Sequence, residues 1–536
     1  MIAALALGGA LLTVPTGAQA AVTVWTPTTV SIPATVSMPA AVSMPAAVTA
    51  APTPVPLLQG RDGADPFRTT PSPATRPRLA DTTTPTTSGA GSFTLAGYAA
   101  LVLVSLLLTG VAVTTLAWML HAWRTPQHLQ STRFSRSPSA DRLPRFSLLV
   151  PARHEEDVLG DTLDRLAAID YYNVEILAII GHDDPGTEAV ARAAAARHPN
   201  RVRVVVDHSV PKNKPKALNT ALAEVDADIV GVMDAEDEVH PHLLINVAAR
   251  FAETRADVVQ GGVQLMNLHS SWWALRNVLE YYFWFRSRLH FHAGARFIPL
   301  GGNTVFLRTE LLRSLDGWDS ECLAEDCELG VRLSARGYSV VVAYDPELVT
   351  REETPPTLRS LVKQRTRWSQ GFLQVLRKGI WRELPSRRQR WLARYTLSMP
   401  FLQAFTGLLI PFSVLMVIFA KVPTWVTLLS FVPLVPTVVT VAVELAGLGE
   451  FGRAYSVRVR ARDVVGLVLG TFPYQVILAV AAVRAVVRET RGDSSWEKTE
   501  HTGAHRPAAQ EIDVRSAAVD LVTARTALTT PDRQSA

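Results

Sequence analysis

The chain has 536 residues, including two cysteines, and a formal net charge of +5. Hydrophobic residues make up 48% of it, which excludes a wholly disordered chain, and two cysteines are too few for a disulfide-stabilised scaffold. The charged fraction of 19% is below the usual level of about 25% and indicates that part of the chain lies in lipid. The basic excess would suit a nucleic-acid partner, so its position along the chain decides its meaning.

The N-terminal part divides into an apolar start and a proline-rich stretch. Residues 1–21 are apolar and end in small residues, as a secretory signal peptide does, but Arg61 is the first basic residue, so the usual basic start of a signal is missing. A cleaved signal and an uncleaved membrane helix both fit this pattern. Residues 22–95 are rich in Pro, Ala and Thr, and because proline opposes both helix and central strand, we predict a disordered, extended stalk.

Four later apolar segments are long enough to cross a bilayer. The first, residues 96–120, is followed by arginines that predict a cytoplasmic domain next, and hence a multi-pass protein of the cell membrane. Three more apolar segments lie in a transmembrane region at 397–487, in which the basic stretch 451–462 is interpreted as an interfacial helix. Residues 488–536 are polar and are predicted to form a flexible tail.

Two placements of the C-terminus follow from these segments. Three crossings after a cytoplasmic domain put the tail outside, whereas Arg484, Arg488 and Arg491 favour the inside. A re-entrant segment, interrupted at Pro473, would reconcile the two.

Residues 145–382 have the pattern of a soluble α/β domain. Apolar runs at 146–151, 174–180, 202–206 and 229–233 predict buried strands, and helical spacing follows the first three. Alternating strands and helices predict a three-layer α/β/α domain with a mainly parallel sheet, here flanked by transmembrane α-helices.

Polar side chains follow the predicted strands, at the edge where parallel sheets bind ligands. Carboxylates suit a hard divalent cation and lysines suit phosphate oxygens, so the pattern predicts a nucleotide diphosphate bound with Mg²⁺ or Mn²⁺. The neighbouring carboxylates would repel a polyanion, and nucleic acid is therefore not the expected partner. Neither a P-loop nor a Gly-x-Gly-x-x-Gly motif accompanies these strands. The side chains in question are Asp183, Asp184, Lys212, Lys214, Lys216, Asp234, Glu236 and Asp237.

Five motifs occur in order between the predicted spans. They are Asp183-Asp184, Lys214-Pro215-Lys216-Ala217-Leu218-Asn219, Asp234-Ala235-Glu236, Ala324-Glu325-Asp326 and Gln364-Arg365-Thr366-Arg367-Trp368. The set resembles that of the membrane-bound family-2 glycosyltransferases, which include cellulose and hyaluronan synthases and bacterial polysaccharide synthases. Two positions depart from the family pattern, because Glu236 replaces an Asp and Ala324 replaces a Thr. The resemblance implies a GT-A-type catalytic domain and a nucleotide-sugar donor, for which a UDP-sugar is expected.

The resemblance also implies a role for each motif on the donor side. Asp234 and Glu236 would bind the divalent cation, with Asp237 as a second choice. The nucleotide-binding residues would be Asp183, Asp184, Glu155, Lys214 and Lys216. Each group also has a structural alternative, since acidic residues are common in turns and at helix starts and basic loops are usually solvated.

The remaining motifs are assigned to the acceptor. The resemblance makes Asp326 the general base that takes the proton of the attacking hydroxyl, with Glu325 as a neighbour that shapes the site. Arg365 and Trp368 lie three residues apart on one face of a predicted helix, where they offer charge to the diphosphate and a flat surface to a sugar ring. Gln364 and Arg367 complete this acceptor and diphosphate motif. The structural alternative is an interfacial helix anchored at the headgroups by its Arg and Trp side chains.

An aromatic and arginine-rich segment, Trp272 to His292, is interpreted as an amphipathic interface helix, with a buried core helix as the alternative. The leading hypothesis for the whole chain is an inverting glycosyltransferase that uses a UDP-sugar and extends a polysaccharide. Transfer of one sugar to a lipid carrier and a non-catalytic nucleotide- or polysaccharide-binding scaffold are the alternatives. The expected partners are therefore a nucleotide sugar, a polysaccharide or lipid acceptor, and membrane lipid.

Overall fold

The computed structural model describes residues 88–125, 143–419, 422–497 and 502–506. The predicted signal or membrane helix at 1–21 and the predicted stalk up to residue 87 lie outside these residues. The stalk prediction is wrong at its end, because helix α1 (Ser88–Leu120) begins inside it.

A seven-stranded sheet forms the centre of the soluble domain, in the order β3-β2-β1-β4-β7-β5-β8. Strand β7 runs antiparallel to β4 and β5, and the other pairs are parallel. The direction of strand addition reverses between β1 and β4, which is where an open α/β sheet forms its ligand crevice. Strands β6 and β9 make a separate parallel pair. The strands are β1 Phe146–Ala152, β2 Val174–Gly181, β3 Val202–Asp207, β4 Ile229–Val232, β5 Val258–Gly261, β6 Val263–Leu265, β7 Val305–Arg308, β8 Val340–Ala343 and β9 Thr350–Glu352.

Helices cover both faces of the sheet. Alternate residues of β1 enter opposite cores: Phe146 and Leu148 pack with α2, α3 and α5, whereas Leu149 packs with α4, α8 and α9. The predicted GT-A-type α/β class, with three layers and a mainly parallel sheet, is therefore confirmed. These helices are α2 Leu159–Ala167, α3 Pro185–Arg197, α4 Lys214–Leu222, α5 Leu243–Thr254, α8 Thr309–Ser314 and α9 Glu325–Ala335.

The aromatic segment forms helix α6 (Trp272–Phe283), a π-helical turn (Trp284–Arg288) and helix α7 (Leu289–Gly294). Its arginines do not face solvent. Arg276 and Arg286 are each at most 6% exposed, and they pair with glutamates of a long apolar helix, Leu434–Ala454. The segment is thus both buried and charged, because its partners supply the opposite charge.

Four helices are long and apolar enough to cross a membrane: Leu95–Arg124, Arg387–Met416, Thr424–Ala454 and Ala461–Arg491. They correspond to the four predicted apolar segments. The interfacial helix predicted at 451–462 is wrong, because α13 continues to Ala454 and α14 begins at Ala461 after a non-helical link. The helices of this region are α10 Leu358–Lys378, α11 Arg387–Phe419, α12 Thr424–Phe431, α13 Leu434–Ala454 and α14 Ala461–Arg491.

Two buried ion pairs join α6 and the π-helical turn to α13. Arg276 binds Glu444 with both terminal nitrogens, at 2.6 and 3.0 Å. Arg286 binds Glu450 at 2.8 Å. Charges buried this deeply are retained only with such partners, so these contacts fix the soluble domain against α13.

Helix α14 contacts the soluble domain near both of its ends. At its start Asp463 lies 3.1 Å from the ring nitrogen of His269, and near its end Glu489 lies 3.3 Å from the amide of Gln370. Both partners belong to the soluble domain. The prediction of a flexible tail from residue 488 is also wrong for its first part, because α14 runs to Arg491 and the described residues beyond it contact the soluble domain.

Candidate active site

The loops after β1 and β2 meet at the switch point through an arginine and an aspartate. Arg153 donates two hydrogen bonds of 3.0 Å to the carboxylate of Asp183. This bidentate contact lowers the pKa of Asp183 to about 2, so the carboxylate is ionised at neutral pH. Asp183 is half-exposed at the mouth of the crevice, as a residue that contacts a nucleotide should be.

Asp184 has a structural task. It is 2% exposed, it caps α3 by accepting from the amide of Thr187 at 3.3 Å, and it accepts from the amide of His154 at 2.6 Å. The ligand atoms of His154, Glu156 and Asp184 lie within 4.8 Å of one another, a spacing that a metal ion would tolerate. The cap and the backbone contact already use the Asp184 oxygens, and the predicted metal ligands lie elsewhere, after β4.

Lys214 stands at the centre of the crevice, in the first turn of α4. Asn213 caps this helix by accepting from the amide of Lys216 at 3.0 Å, which aims the start of α4 at the site. The Lys214 ammonium contacts Asp234 and donates to the carbonyl of Gly302 at 2.9 Å. Burial would lower the pKa of Lys214, but Asp234, Glu325 and Asp326 outweigh it and raise that pKa above its ordinary value. Lys214 is therefore a fixed cation among carboxylates.

The loop Asp234–Asp237, called the metal loop below, carries the predicted ligands. Asp237 is fully buried and accepts from the amide of Asp234 at 2.8 Å and from Asn303 at 3.1 Å. Burial, followed by the charges of Glu352, Asp234 and Glu236, raises the pKa of Asp237 well above its usual range. Four carboxylates thus repel one another here, and such a set of oxygen ligands fits a hard divalent cation.

The acidic motif begins helix α9 and faces Lys214. Asp326 accepts from the amide of Cys327 at 2.7 Å. A methyl group added to Gly302 would lie 3.1 Å from a carboxylate oxygen of Asp326 and 3.7 Å from the Lys214 ammonium, so the glycine loop borders both groups. Burial and the charge of Asp326 raise the pKa of Glu325 to about 7. Burial also raises the pKa of Asp326.

The Gln-x-x-Arg-Trp helix, α10, divides its two arginines between different tasks. Burial lowers the pKa of Arg367, while Glu325, Asp234 and Asp326 oppose that effect, so Arg367 faces the acidic centre. Arg365 instead donates to both oxygens of Glu280 in α6, at 2.7 and 2.9 Å. Because Glu280 binds its guanidinium, Arg365 is not positioned for its predicted role as a diphosphate contact.

An aromatic surface lies beside Arg365. The guanidinium of Arg365 is 4.7 Å from the centre of the Trp368 ring, and Trp368 lies 6.1 Å from Tyr281. Helix α10 also approaches the acidic motif very closely. A methyl group on Gly371 would lie only 2.3 Å from the Cβ of Ala324, so the two backbones are in direct contact.

The structure brings Lys214, Asp234, Glu325, Asp326 and Arg367 into one cluster. Other predicted residues lie apart from it. Lys216 points to Glu321 at 3.7 Å, and within the described part of the chain the side-chain oxygen of Gln364 has no hydrogen-bond partner. Glu155 is buried, and its amide donates to Thr187 at 3.1 Å.

Several residues that contact the predicted site residues or the metal loop were not among the predicted ones. These residues do not belong to any recognisable sequence motif. The sequence offered only their chemical type as a signal: an Asn after two glycines, and acidic residues within an aromatic or a strand segment. These residues are Arg153, Glu280, Asn303, Glu352, Trp496 and Arg506.

Residues 144–371 match a family model described as "Glycosyltransferase like family 2". The chain is 27% identical over 237 residues to the beta-monoglucosyldiacylglycerol synthase of Synechocystis sp., covering 43% of this chain and 48% of that protein. It is 26% identical over 255 residues to the poly-beta-1,6-N-acetyl-D-glucosamine synthase of Staphylococcus aureus, covering 47% of this chain and 60% of that protein. The alignments therefore span about half of the relatives' own length.

Among solved structures, the chain is similar to the mannosyltransferase PcManGT from Pyrobaculum calidifontis in complex with GDP-Man and Mn²⁺. The identity is 19% and the TM-score is 0.47, over 73% of this chain and 99% of that one. The motifs within residues 144–371, the topology of the sheet that these residues form and the match to the family model are consistent with one another.

Proposed function

We propose that this membrane protein, whose residues 144–371 form a family-2 glycosyltransferase domain, moves a sugar from a UDP-sugar to a hydroxyl acceptor with inversion at the anomeric carbon. The observation that carries the proposal is the cluster of Lys214, Asp234, Asp326 and Arg367 at the switch point of the sheet. It supports the proposal because two cations that suit a diphosphate lie near a carboxylate that suits a general base.

The donor lies along the edge of the sheet in this proposal. Asp183, ionised and aimed by Arg153, accepts hydrogen bonds from the nucleoside. Lys214 and Arg367 bind the diphosphate oxygens, and their charge lowers the energy of the leaving nucleotide. Asp234 and Glu236 hold a divalent cation with help from Asp237, and such a cation supplies further positive charge to the diphosphate.

The acceptor approaches from the side of α10. Asp326 takes the proton of the attacking hydroxyl as that oxygen bonds to the anomeric carbon and the nucleotide diphosphate departs. Trp368 and Tyr281 offer flat apolar surface to the acceptor sugar, and this surface supports repeated extension of a polysaccharide. Transfer of a single sugar to a lipid is the second candidate function, because the Synechocystis relative is named as a monoglucosyldiacylglycerol synthase.

The test uses the full chain in lipid nanodiscs with a panel of UDP-sugars and Mn²⁺ or Mg²⁺. Release of UDP identifies the donor, and the mass of the product separates a polymer from one glycolipid. Removal of the cation by EDTA is expected to stop transfer. Tight UDP binding without release from any sugar donor would contradict an enzyme and favour a binding scaffold.

The pH profile of transfer is expected to depend on the Glu325–Asp326 pair. Because the pKa of Glu325 is about 7, this residue gains a proton as the pH falls through neutrality. The loss of its negative charge makes Asp326 a weaker base, so the rate should fall several-fold on the acid side. Measured between about pH 5 and about pH 9, Glu325→Gln should lose this step near neutrality. An unchanged step in the variant would show that another group titrates.

We further propose that α14 lies in the plane of the membrane, and that the catalytic domain and the chain after α14 are both cytoplasmic. The contacts of Asp463 and Glu489 place both ends of α14 on the soluble domain. Its exposed face is an apolar stripe along the whole helix, as expected for an interface helix against lipid. The stripe consists of Val464, Val465, Val468, Leu469, Phe472, Val476, Val480 and Val487.

Single cysteines on each side of α14 test this topology, since both native cysteines are buried. With an impermeant maleimide on intact cells, Thr424→Cys at the start of α12 should react. Arg458→Cys and Ser494→Cys, which flank α14, should react only after the cells are permeabilised. Labelling of Ser494→Cys from outside would mean that α14 crosses the membrane.

A further inference from the structure

The described residues Thr502–Arg506, called the latch below, dock on the catalytic domain although their composition is that of a polar tail. Their docking point is the carboxylate of Glu353, which is 5% exposed. The amides of Thr502, Gly503 and Ala504 donate to this carboxylate at 2.5, 3.3 and 2.6 Å. Three amides on one buried carboxylate form a specific attachment, because leaving that charge unpaired would be costly.

Arg506 is largely buried, with 9% of its side chain exposed. One terminal nitrogen donates to the carbonyl of Val158 at 3.1 Å and pairs with Asp161 at 3.0 Å. The other donates to the hydroxyl of Thr162 and to the carbonyl of Glu236 at 3.1 Å. The guanidinium therefore links the start of α2 to the metal loop.

Thr162 extends this link to the next carbonyl of the loop. It is fully buried, and its hydroxyl donates to the carbonyl of Ala235 at 2.6 Å. Two consecutive carbonyls of the metal loop are thus held, one by Thr162 and one by Arg506. Because these contacts are to the backbone, they fix the path of the loop. The path of the loop in turn sets the direction of the carboxylates of Asp234 and Glu236.

We infer that Arg506 is a positioning residue for the divalent cation: it holds the metal loop in the conformation that presents Asp234 and Glu236. This inference rests on the proposed function, which assigns those carboxylates to the cation. Contacts behind metal ligands commonly change metal affinity by about 10–100-fold. If the latch supports the cation site in this way, removing the chain after α14 should also lower the affinity for the cation.

The test measures binding of Mn²⁺ to the full chain in nanodiscs with UDP present, by electron paramagnetic resonance of the free ion. Arg506→Ala should weaken Mn²⁺ binding by about 10-fold or more. Arg506→Lys keeps the charge but lacks the two terminal nitrogens of the guanidinium, so its effect should be intermediate. The matched control is Arg192→Ala, which removes an exposed arginine of α3 paired only with Glu188 among the described residues.

Glu353→Gln provides a second variant that weakens the docking of the latch without touching Arg506 or the metal loop. It should also weaken Mn²⁺ binding, by less than Arg506→Ala does. Unchanged Mn²⁺ affinity in Arg506→Ala or in Glu353→Gln, with wild-type binding intact, overturns the inference. Wild-type Mn²⁺ binding that Asp234→Asn does not impair overturns the proposed metal site instead, so the two failures are distinguishable.

Discussion

Replacing Asp326 by Asn is expected to lower sugar transfer by about 100-fold or more and to leave UDP binding unchanged. The amide keeps the shape of the side chain but has no affinity for the proton of the acceptor hydroxyl. Donor binding should be preserved because Lys214 and Arg367, which we propose contact the diphosphate, remain. Transfer is measured as UDP release with the preferred donor, and UDP binding by calorimetry.

Asp316→Asn is the matched control for this change. Asp316 is exposed and has a φ of 58°, a left-handed conformation that asparagine tolerates well. The control makes the same chemical change ten positions away, outside the cluster, and should transfer sugar at the wild-type rate. Wild-type transfer by Asp326→Asn would remove Asp326 from the role of base.

Breaking the ion pair between Arg276 and Glu444 is expected to give the largest loss of stability. Their side chains are 6% and 14% exposed, so Arg276→Met leaves the charge of Glu444 buried without its partner. Removing one member of a buried pair typically costs about 3–5 kcal/mol. Thermal unfolding in detergent, followed through tryptophan fluorescence, should show a clearly lower midpoint.

The reciprocal variant and the double variant complete this experiment. Glu444→Met should be destabilised in the same way, and the double variant should be more stable than either single one, because no buried charge is left. Arg394→Met on α11, at an exposed arginine, should leave the midpoint unchanged. A double variant with the summed loss of both singles would show that the two side chains act independently.

The sheet and its flanking helices could be predicted because their signals are local. The residues of β1 alternate between two apolar faces, and Asn213 and Pro215 mark the start of α4 in the sequence itself. The crevice followed from the same pattern, because the polar residues stand directly after the strands. The contact of Lys214 with Asp234 does not follow from the strand pattern alone, because β3 and β4, which precede these two residues, are separated in the sheet by β2 and β1.

The division of labour between Arg365 and Arg367 was not predictable in the same way. Both arginines lie on α10 within one turn, and only the position of Glu280 on α6 decides which of them turns away from the acidic centre. The latch was missed for a similar reason. Arg506 has no apolar periodicity around it, and its partners lie on α2 and in the metal loop, far away in the sequence.

The close approach of Gly371 to Ala324 has a consequence for the proposed acceptor site. The gap between the start of α9, which carries Asp326, and α10, which carries Trp368, is closed at this point by Gly371 against the backbone and Cβ of Ala324. Rotamer changes cannot widen that gap, and even a single added methyl group would push the helix outward. In the proposed acceptor site, the spacing of these two helices is thus a fixed dimension of the fold, and we expect selectivity among acceptors to come from the residues around it.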